Sequence, residues 1–420
     1  MQERPLQGVR VVECTTMITG PLAGMMLADL GADVIKVEHP EGGDPFRSFR
    51  GGSVSPYFLA YNRNKRSIAL DLKSESGRRV LEKLLGTADV LIENFRPGVL
   101  DRLGFGKDRL QKINPNLILC SISGFGTSGP YRDRPAYDAV AQAVSGLSSL
   151  FFTPEEPRIT GPTIADNLTG IYACYGLLAA LHARMAHGRV SSVEVNMLDS
   201  AIAFTPDTFL AHTLLGLEPG PFMRVQASQS YALRCRDGAM LSVHLSSQEK
   251  FWRACLEALM IPELADDQRF STRAARVDNY LELARELNAA ARSQDRAYWL
   301  DRLAALDVPH APVNSLAEVI DDEQVKHLGV FAQMQHPILG PHIAPRRPVT
   351  FNGSREDQPL VVAPEMNAHG EEIVQELELS EADVLSWREN LTAKGVSEGI
   401  GAPAGSTAPE PASTPERVTG

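Results

Sequence analysis

Over the first 125 residues, short runs of β-branched and aliphatic residues alternate with stretches whose apolar positions recur every three or four. Residues 9–13 (VRVVE) read as a strand, and residues 21–30 (PLAGMMLADL) as a helix stopped by Gly31. Residues 34–37 make a second strand, after which Pro40, Gly42 and Gly43 break the chain. Residues 67–72 form a third strand, and residues 74–86 a helix opened by Ser74 as N-cap and closed by Gly86. Residues 90–93 and 117–121 are further strands. This rhythm predicts an α/β fold with a parallel sheet and helices on its faces. Ligands of such sheets bind beyond the carboxyl ends of the strands. Residues 15–20, 39–44, Lys73, 94–98 and 124–137 should therefore gather around one crevice.

Residues 166–187 carry the longest helical signal, with Leu168, Ile171, Tyr172, Tyr175, Leu178 and Leu181 spaced by three or four. A strand over 190–195 and a mostly apolar helix over 199–215 follow. Around residue 220 the texture changes. Residues 231–243 look like a hairpin turning at Asp237 and Gly238, and residues 247–306 like amphipathic, charge-rich helices. The expected organisation is a large domain over 1–220, a smaller α+β domain over 225–315, and a return to the large domain over 330–395. Residues 396–420 are dominated by Ala, Pro, Gly, Ser and Thr. Such a segment buries too little apolar area to offset its ordering entropy and is expected to be disordered.

Composition narrows the function classes. The charge balance, 41 − 52 = −11, argues against a nucleic-acid partner but leaves room for a local basic pocket that takes a phosphorylated small molecule. No run reaches the roughly 18 consecutive apolar residues of a membrane span. The opening MQERPLQGVR has no apolar signal region, so a cytoplasmic protein is expected. Cys14, Cys120, Cys174, Cys235 and Cys255 show no C-x-x-C spacing, and the histidines no H-E-x-x-H. Neither a disulfide framework nor a metal site is expected.

The opening strand–helix unit invites a dinucleotide reading, with Glu38 ending the second strand. The first loop, CTTMITGPLAG, holds only Gly20 and Gly24, so no G-x-G-x-x-G can be drawn and the backbone cannot closely approach a pyrophosphate. No Walker motif is present either. Basic residues cluster at the expected crevice loops: Arg63, Lys65, Arg66, Lys73, Arg96, Arg102, Arg132 and Arg134. Such residues often merely solvate loops, but their convergence suits a ligand with two or three phosphates.

Asp166, in TGPTIADNLTG, opens the long helix. Taken alone it reads first as a plain N-cap; the same position also suits a nucleophile, whose ionised form a helix N-terminus favours, with Gly161 and Gly170 leaving room for substrate. The segment GFGTSGP (124–130) leads to Tyr137 and Asp138, and reads either as a structural turn or as a lid.

Several blocks then combine in order: GVRVVECT, LADLGADVIKVEHPEGGDPFR, NRNKRSIALDLKSESGR, ADVLIENFRPGVLDRLGFG, NPNLILCSISGFGTSGPYRDRPAYDAVAQAVSGL and GPTIADNLTGIYACYGLLAAL. Together they closely resemble the class III coenzyme A transferases of the CaiB/BaiF type, over about residues 5–205, and more weakly over 299–324 and near the end. The resemblance implies a Rossmann-like large domain, a small domain, and a homodimer of two chains interlocked like rings. It implies no cofactor, CoA itself being a substrate, with an acyl-CoA and a carboxylic acid as partners.

By the same resemblance Asp166 is the nucleophile and His39 lies near the adenine. Leu70, Asp71, Leu72 and Lys73 cradle the nucleotide. Asn94, Phe95, Arg96 and Arg102 bind pantetheine and phosphates, and Arg134 joins them as a CoA-binding cation. Tyr137 and Asp138 lie near the thiol end, with Ile18 and Thr19 on the facing loop.

This chain departs from the oxalate-handling members. Ile18 replaces a glutamine, and MRVQASQSYALR (223–234) stands where they carry a glycine-rich loop, so formyl-CoA:oxalate activity is not expected. The usual L-G-E-H-T near the end is here Met366-Asn367-Ala368-His369-Gly370. Arg224, Arg234 and Arg236 read first as surface residues near the hairpin, and second as grips for a dicarboxylic acid. Two rivals stand beside the transferase. One is an α-methylacyl-CoA racemase, which needs a histidine where Tyr137 stands, and tyrosine is a poor general base. The other is a non-catalytic CoA-binding protein.

Overall fold

The computed structural model describes residues 4–49, 55–246, 248–355 and 360–396. The main sheet contains β1 (Arg10–Cys14), β2 (Asp33–Glu38), β3 (Lys65–Ala69), β4 (Val90–Glu93), β5 (Ile118–Ser123) and β6 (Val193–Asn196), in the order β3-β2-β1-β4-β5-β6. Every pairing in it is parallel. The chain reverses direction across the sheet between β1 and β4, and the loops beyond those two strands diverge to open a crevice. The predicted α/β class and parallel sheet are observed.

The connecting helices are α1 (Thr19–Ala28), α2 (Pro56–Asn62), α3 (Glu75–Gly86), α4 (Val99–Arg102), α5 (Lys107–Ile113), α6 (Asp138–Val144), α7 (Ala165–His187), α8 (Met197–Ala203) and α9 (Pro206–Leu215). Successive strand residues point to opposite faces, so each strand feeds two cores. Val11, Val34 and Ile92 pack with Leu27 of α1 and Leu177 of α7. Their neighbours Val12, Ile35 and Leu91 pack with Leu81 of α3 and with Ile373 and Trp387 from the end of the chain.

Two predicted boundaries shift. The strand expected over 190–195 is β6, beginning at Val193, and the helix expected over 199–215 breaks into α8 and α9. Pro206 is the cause, because proline removes an amide donor and forces the preceding residue out of helical geometry. Ser74 caps α3 as predicted, accepting the Gly77 amide at 3.0 Å.

A separate core lies within residues 231–308, around Trp252, Phe270, Leu283 and Trp299. It backs the antiparallel strands β7 (Ser230–Arg234), β8 (Met240–His244) and β9 (His310–Pro312). The hairpin turns at Asp237 and Gly238, where Gly238 takes φ +81°. A second hairpin, β10 (Phe331–His336) with β11 (Gly340–Pro345), precedes the return to the main sheet.

That return closes the β3 edge. Asn367 Oδ1 accepts the Ala69 amide at 3.0 Å, and the His369 amide donates to the Ser67 carbonyl at 3.1 Å. The Met366–Gly370 stretch thus acts as a cover for an edge strand. All five cysteines are buried and free. No described helix is long and apolar enough to cross a membrane. Apart from Val396, the tail expected to be disordered lies outside the described residues.

Trp387 seals this closure from a 13-residue helix, Glu381–Ala393, donating its indole N–H to the Ala69 carbonyl at 3.0 Å. Trp387→Ala should therefore cost about 3–5 kcal/mol, read as a lowered urea midpoint at unchanged slope.

Candidate active site

The loops leaving β1 to β5 meet as topology predicts. Thr16 and Asn94 are laced together: the Thr16 amide donates to Asn94 Oδ1 at 3.0 Å, and Asn94 Nδ2 donates to the Thr16 carbonyl at 2.9 Å and to Thr19 Oγ1 at 3.2 Å. Asn94 therefore holds the loop that carries Ile18 and Thr19, both buried at the start of α1. Beyond β2, His39 Nε2 stands 3.9 Å from Asp71 Oδ1, which also accepts the Lys73 amide at 2.9 Å. Leu70 is buried, with its amide on the Glu38 carbonyl, and Leu72 packs against the first core. Phe95 donates its amide to the buried Glu93 carboxylate at 2.9 Å; burial pushes Glu93 above the usual carboxylate range.

The basic cluster divides. Arg63 is buried against Asp29, Lys65 is buried against Glu13, and Arg66 pairs with Asp33 and Glu376 at the opposite end of the sheet. These three are committed inside the fold and do not line the crevice, which corrects the sequence reading. Lys73, Arg96, Arg102 and Arg134 are exposed and pair with no carboxylate among the described residues; Arg134 lies 3.7 Å over the Tyr131 ring. Arg132 belongs with them, although it approaches Asp133 at 3.7 Å. A Cβ built on Gly98 would meet Arg102 Nη1 at 3.3 Å and Arg132 Nη2 at 3.8 Å. Two guanidinium groups thus converge over a glycine, and cations left uncommitted in an acidic protein attract anions such as phosphates. Arg236, by contrast, is paired with Asp295 at 2.9 Å, and Arg224 approaches Asp207 at 3.5 Å.

Asp166 occupies the first turn of α7, but it is not the N-cap. That position is Ile164, which supplies no side-chain cap. The Asp166 carboxylate accepts no hydrogen bond among the described residues, so the bland explanation for an aspartate here is absent. Its amide donates to Asp138 Oδ1 at 3.1 Å, and Gln142 Nε2 holds the other Asp138 oxygen at 2.5 Å. Gln142, buried in α6, is a site residue that the sequence reading missed.

Burial, followed by the neighbouring Asp138 charge, pushes the Asp166 carboxyl up to about 7. The expected preference of the helix N-terminus for the ionised form is therefore outweighed here. Desolvation and like charge outweigh a dipole effect of about 0.3–1 kcal/mol. Because the folded chain holds this proton more tightly than the unfolded one, the group's contribution to stability is present in acid and lost as pH rises through about 7. Asp166 does not serve stability at neutral pH.

The glycines around Asp166 also read differently. Gly170 gives no room to substrate: a Cβ there would stand 2.7 Å from the Thr19 carbonyl, so it lets α1 pack on α7 one turn after Asp166. Gly161 takes φ +94° and faces open space. Gly124 allows the return of the chain, since its Cβ would overlap that of Ala136, just before Tyr137. Tyr137 is 68% exposed. Among the described residues, no three His, Cys, Asp or Glu side chains converge as metal ligands would.

Comparison with known proteins decides what this crevice belongs to. Residues 6–370 match the description "CoA-transferase family III". The chain belongs to CoA-transferase family III. It is 35% identical over 356 residues to the mouse succinyl-CoA:glutarate CoA-transferase, covering 83% of this chain and 81% of that one. It is 33% identical over 407 residues to a formyl-CoA:oxalate CoA-transferase of Streptomyces avermitilis, covering 92% and 99%. A crystal structure of a CaiB/BaiF family protein from Brucella suis superposes with TM-score 0.79 at 34% identity, over 90% of this chain and all of that one. This CoA-transferase therefore moves CoA between acyl-CoA thioesters and carboxylates.

If the ionised Asp166 carboxylate reacts with the thioester, kcat/KM for the acyl-CoA donor should rise with pH through about 7. Asp138→Asn, by removing the like charge but not the burial, should move that limb to lower pH without taking it to the ordinary carboxylate range. A pH–rate profile of the two proteins checks both statements.

Proposed function

We propose that Asp166 is the covalent carrier of a double displacement. Its carboxylate oxygen attacks the donor thioester carbonyl, the C–S bond breaks, and CoA thiolate leaves an aspartyl–acyl anhydride. The thiolate then attacks the aspartyl carbonyl, releasing the donor acid and forming an aspartyl-CoA thioester. An acceptor carboxylate attacks that thioester, the thiolate is expelled again, and its attack on the acceptor acyl carbon gives the new acyl-CoA and free Asp166. Each step exchanges an anhydride and a thioester of comparable energy, so no nucleoside triphosphate is needed.

The observation that carries this reading is a half-buried carboxylate in the first turn of the long helix whose oxygens accept no hydrogen bond among the described residues. The uncommitted cations Lys73, Arg96, Arg102 and Arg134 support a CoA phosphate site, with His39, Asp71 and Asn94 on the adjoining loops. The core confined to residues 231–308 supports treating 225–315 as the small domain. Asp166→Asn should bind CoA with an affinity within a few-fold of wild type while transfer falls by at least about 1000-fold. Mass spectrometry after incubation with acyl-CoA and hydroxylamine should modify Asp166 in the wild type alone. Full transfer in the variant contradicts the assignment.

We further propose that the protein works as a homodimer, interlocked as its family resemblance implies. Helix α9 has no buried residue, yet Leu210, Leu214 and Leu215 are 58%, 76% and 71% exposed. Beside α1 and α7 lies an apolar cavity of about 810 Å³ bounded by Met25, Ile171, Leu178, Met334 and Ile343. Apolar surface of this extent supports cover by a second chain. Light scattering on the eluting protein should give two chains per particle. Leu210→Asp combined with Leu214→Asp should reduce that to one chain or to aggregate.

A further inference from the structure

Strand β2 runs through the interior of the main sheet, between β1 and β3, yet its sequence is Asp-Val-Ile-Lys-Val-Glu. Lys36, in its middle, is fully buried. An ammonium ion in that position costs several kcal/mol of desolvation, so each of its three donors needs a partner. Lys36 Nζ donates to Glu13 Oε1 at 3.0 Å and to the Thr15 carbonyl at 2.9 Å, and pairs with Asp44 Oδ2 at 3.0 Å. Glu13 and Asp44 are themselves buried. Burial alone would raise Glu13, but the ammonium groups of Lys65 and Lys36 hold it below the usual carboxylate range.

The partners of Lys36 are not spread at random. Thr15 is the first residue beyond β1, and Asp44 ends the loop beyond β2, so one buried ammonium ties together two walls of the crevice. Asp44 passes the tie on. Both of its carboxylate oxygens accept the Met17 amide at 3.2 Å, and one accepts the Phe46 amide at 2.9 Å. Met17 has φ +69°, a left-handed conformation that costs a non-glycine residue about 1–2 kcal/mol and persists only where the surroundings enforce it. Immediately after it come Ile18 and Thr19, and the Thr19 carbonyl lies against Gly170, one turn along α7 from Asp166.

We propose that Lys36 and Asp44 are positioning residues for CoA transfer, holding the Thr15–Met17 backbone in its left-handed bend so that the Ile18–Thr19 loop is seated against the helix turn that carries Asp166. The proposal rests on Asp166 as the carrier. Neither residue touches the substrate; both act through the loop. A lysine is required here because the tie needs a charge-assisted link to one carboxylate in the sheet and another in the loop, plus a donor for a carbonyl between them. An apolar replacement supplies none of the three.

Lys36→Met leaves Asp44 buried without its cation and is the harsher test of folding. Asp44→Asn is the decisive variant because it keeps size and an acceptor oxygen while removing the ion pair. In folded Asp44→Asn, judged by its circular dichroism, turnover should fall about 10- to 100-fold, as a misplacement near 1 Å produces. KM for the acyl-CoA should stay within about three-fold, and hydroxylamine-trappable labelling of Asp166 should slow in step with turnover. Because glycine adopts the bend without strain, the loss caused by Asp44→Asn should be several-fold smaller in a Met17→Gly background than in the wild-type background.

Three results overturn the proposal: undiminished turnover, an equal loss in both backgrounds, or a rise in KM that accounts for the whole effect. Failure to label Asp166 in the wild-type protein removes the carrier reading instead, and is told apart from these by being independent of Asp44.

Discussion

Asp166 is half buried, lies next to a second carboxylate and accepts no hydrogen bond among the described residues, and the side chains around it set that environment. A cation or a side-chain cap would stabilise the ionised Asp166, and among the described residues α7 offers its carboxylate neither. Instead Asp138 receives the Asp166 amide and is itself held by Gln142, so the like charge stays fixed. A carboxyl that holds its proton to about pH 7 is still partly ionised near neutrality, and its ionised form is more basic, hence more nucleophilic, than an ordinary carboxylate.

The sheet makes this arrangement possible. Reversal of strand order between β1 and β4 brings five loops together, and the exposed cations Lys73, Arg96, Arg102 and Arg134 there pair with no carboxylate among the described residues, while other arginines and lysines are neutralised within the fold. Close helix packing at Gly170 sets the first turn of α7 directly behind the loop of Ile18 and Thr19. Buried Lys36 and Asp44 then join the sheet interior to that same loop. Stability and chemistry therefore meet at the carboxyl edge of β1 and β2 rather than in separate parts of the molecule.

Much of this was legible in the sequence. Period-two apolar runs and helical spacing were enough for the parallel sheet, the crevice loops and the long α7, and ordered motif blocks pointed to the family. Other features needed three dimensions. Arg63, Lys65 and Arg66 look like crevice cations in sequence because they sit next to Lys73 in the reading, yet they lie at the start of β3, where a strand's amino end faces away from the ligand. Pro206 splits a helix that apolar spacing alone reads as continuous. Gly170 seemed to make space for a substrate and instead admits another helix. Gln142 and Lys36 went unnoticed as site residues because their roles depend on partners 4 to 23 residues away on other elements or turns. A charged residue inside an otherwise apolar interior strand, as in the β2 sequence, is the one signal that could have exposed Lys36.

Oxygen transfer tests the carrier most directly. With acceptor acid labelled by heavy oxygen in its carboxylate, an anhydride on Asp166 requires one labelled oxygen to remain on the aspartate after each turnover and to leave in the next donor acid. Mass spectrometry should find heavy oxygen in the peptide containing Asp166, saturating within a few turnovers, and in the released donor acid, accumulating as turnover continues. Label confined to the acceptor and its CoA ester, with none in either of those two species, would contradict the account.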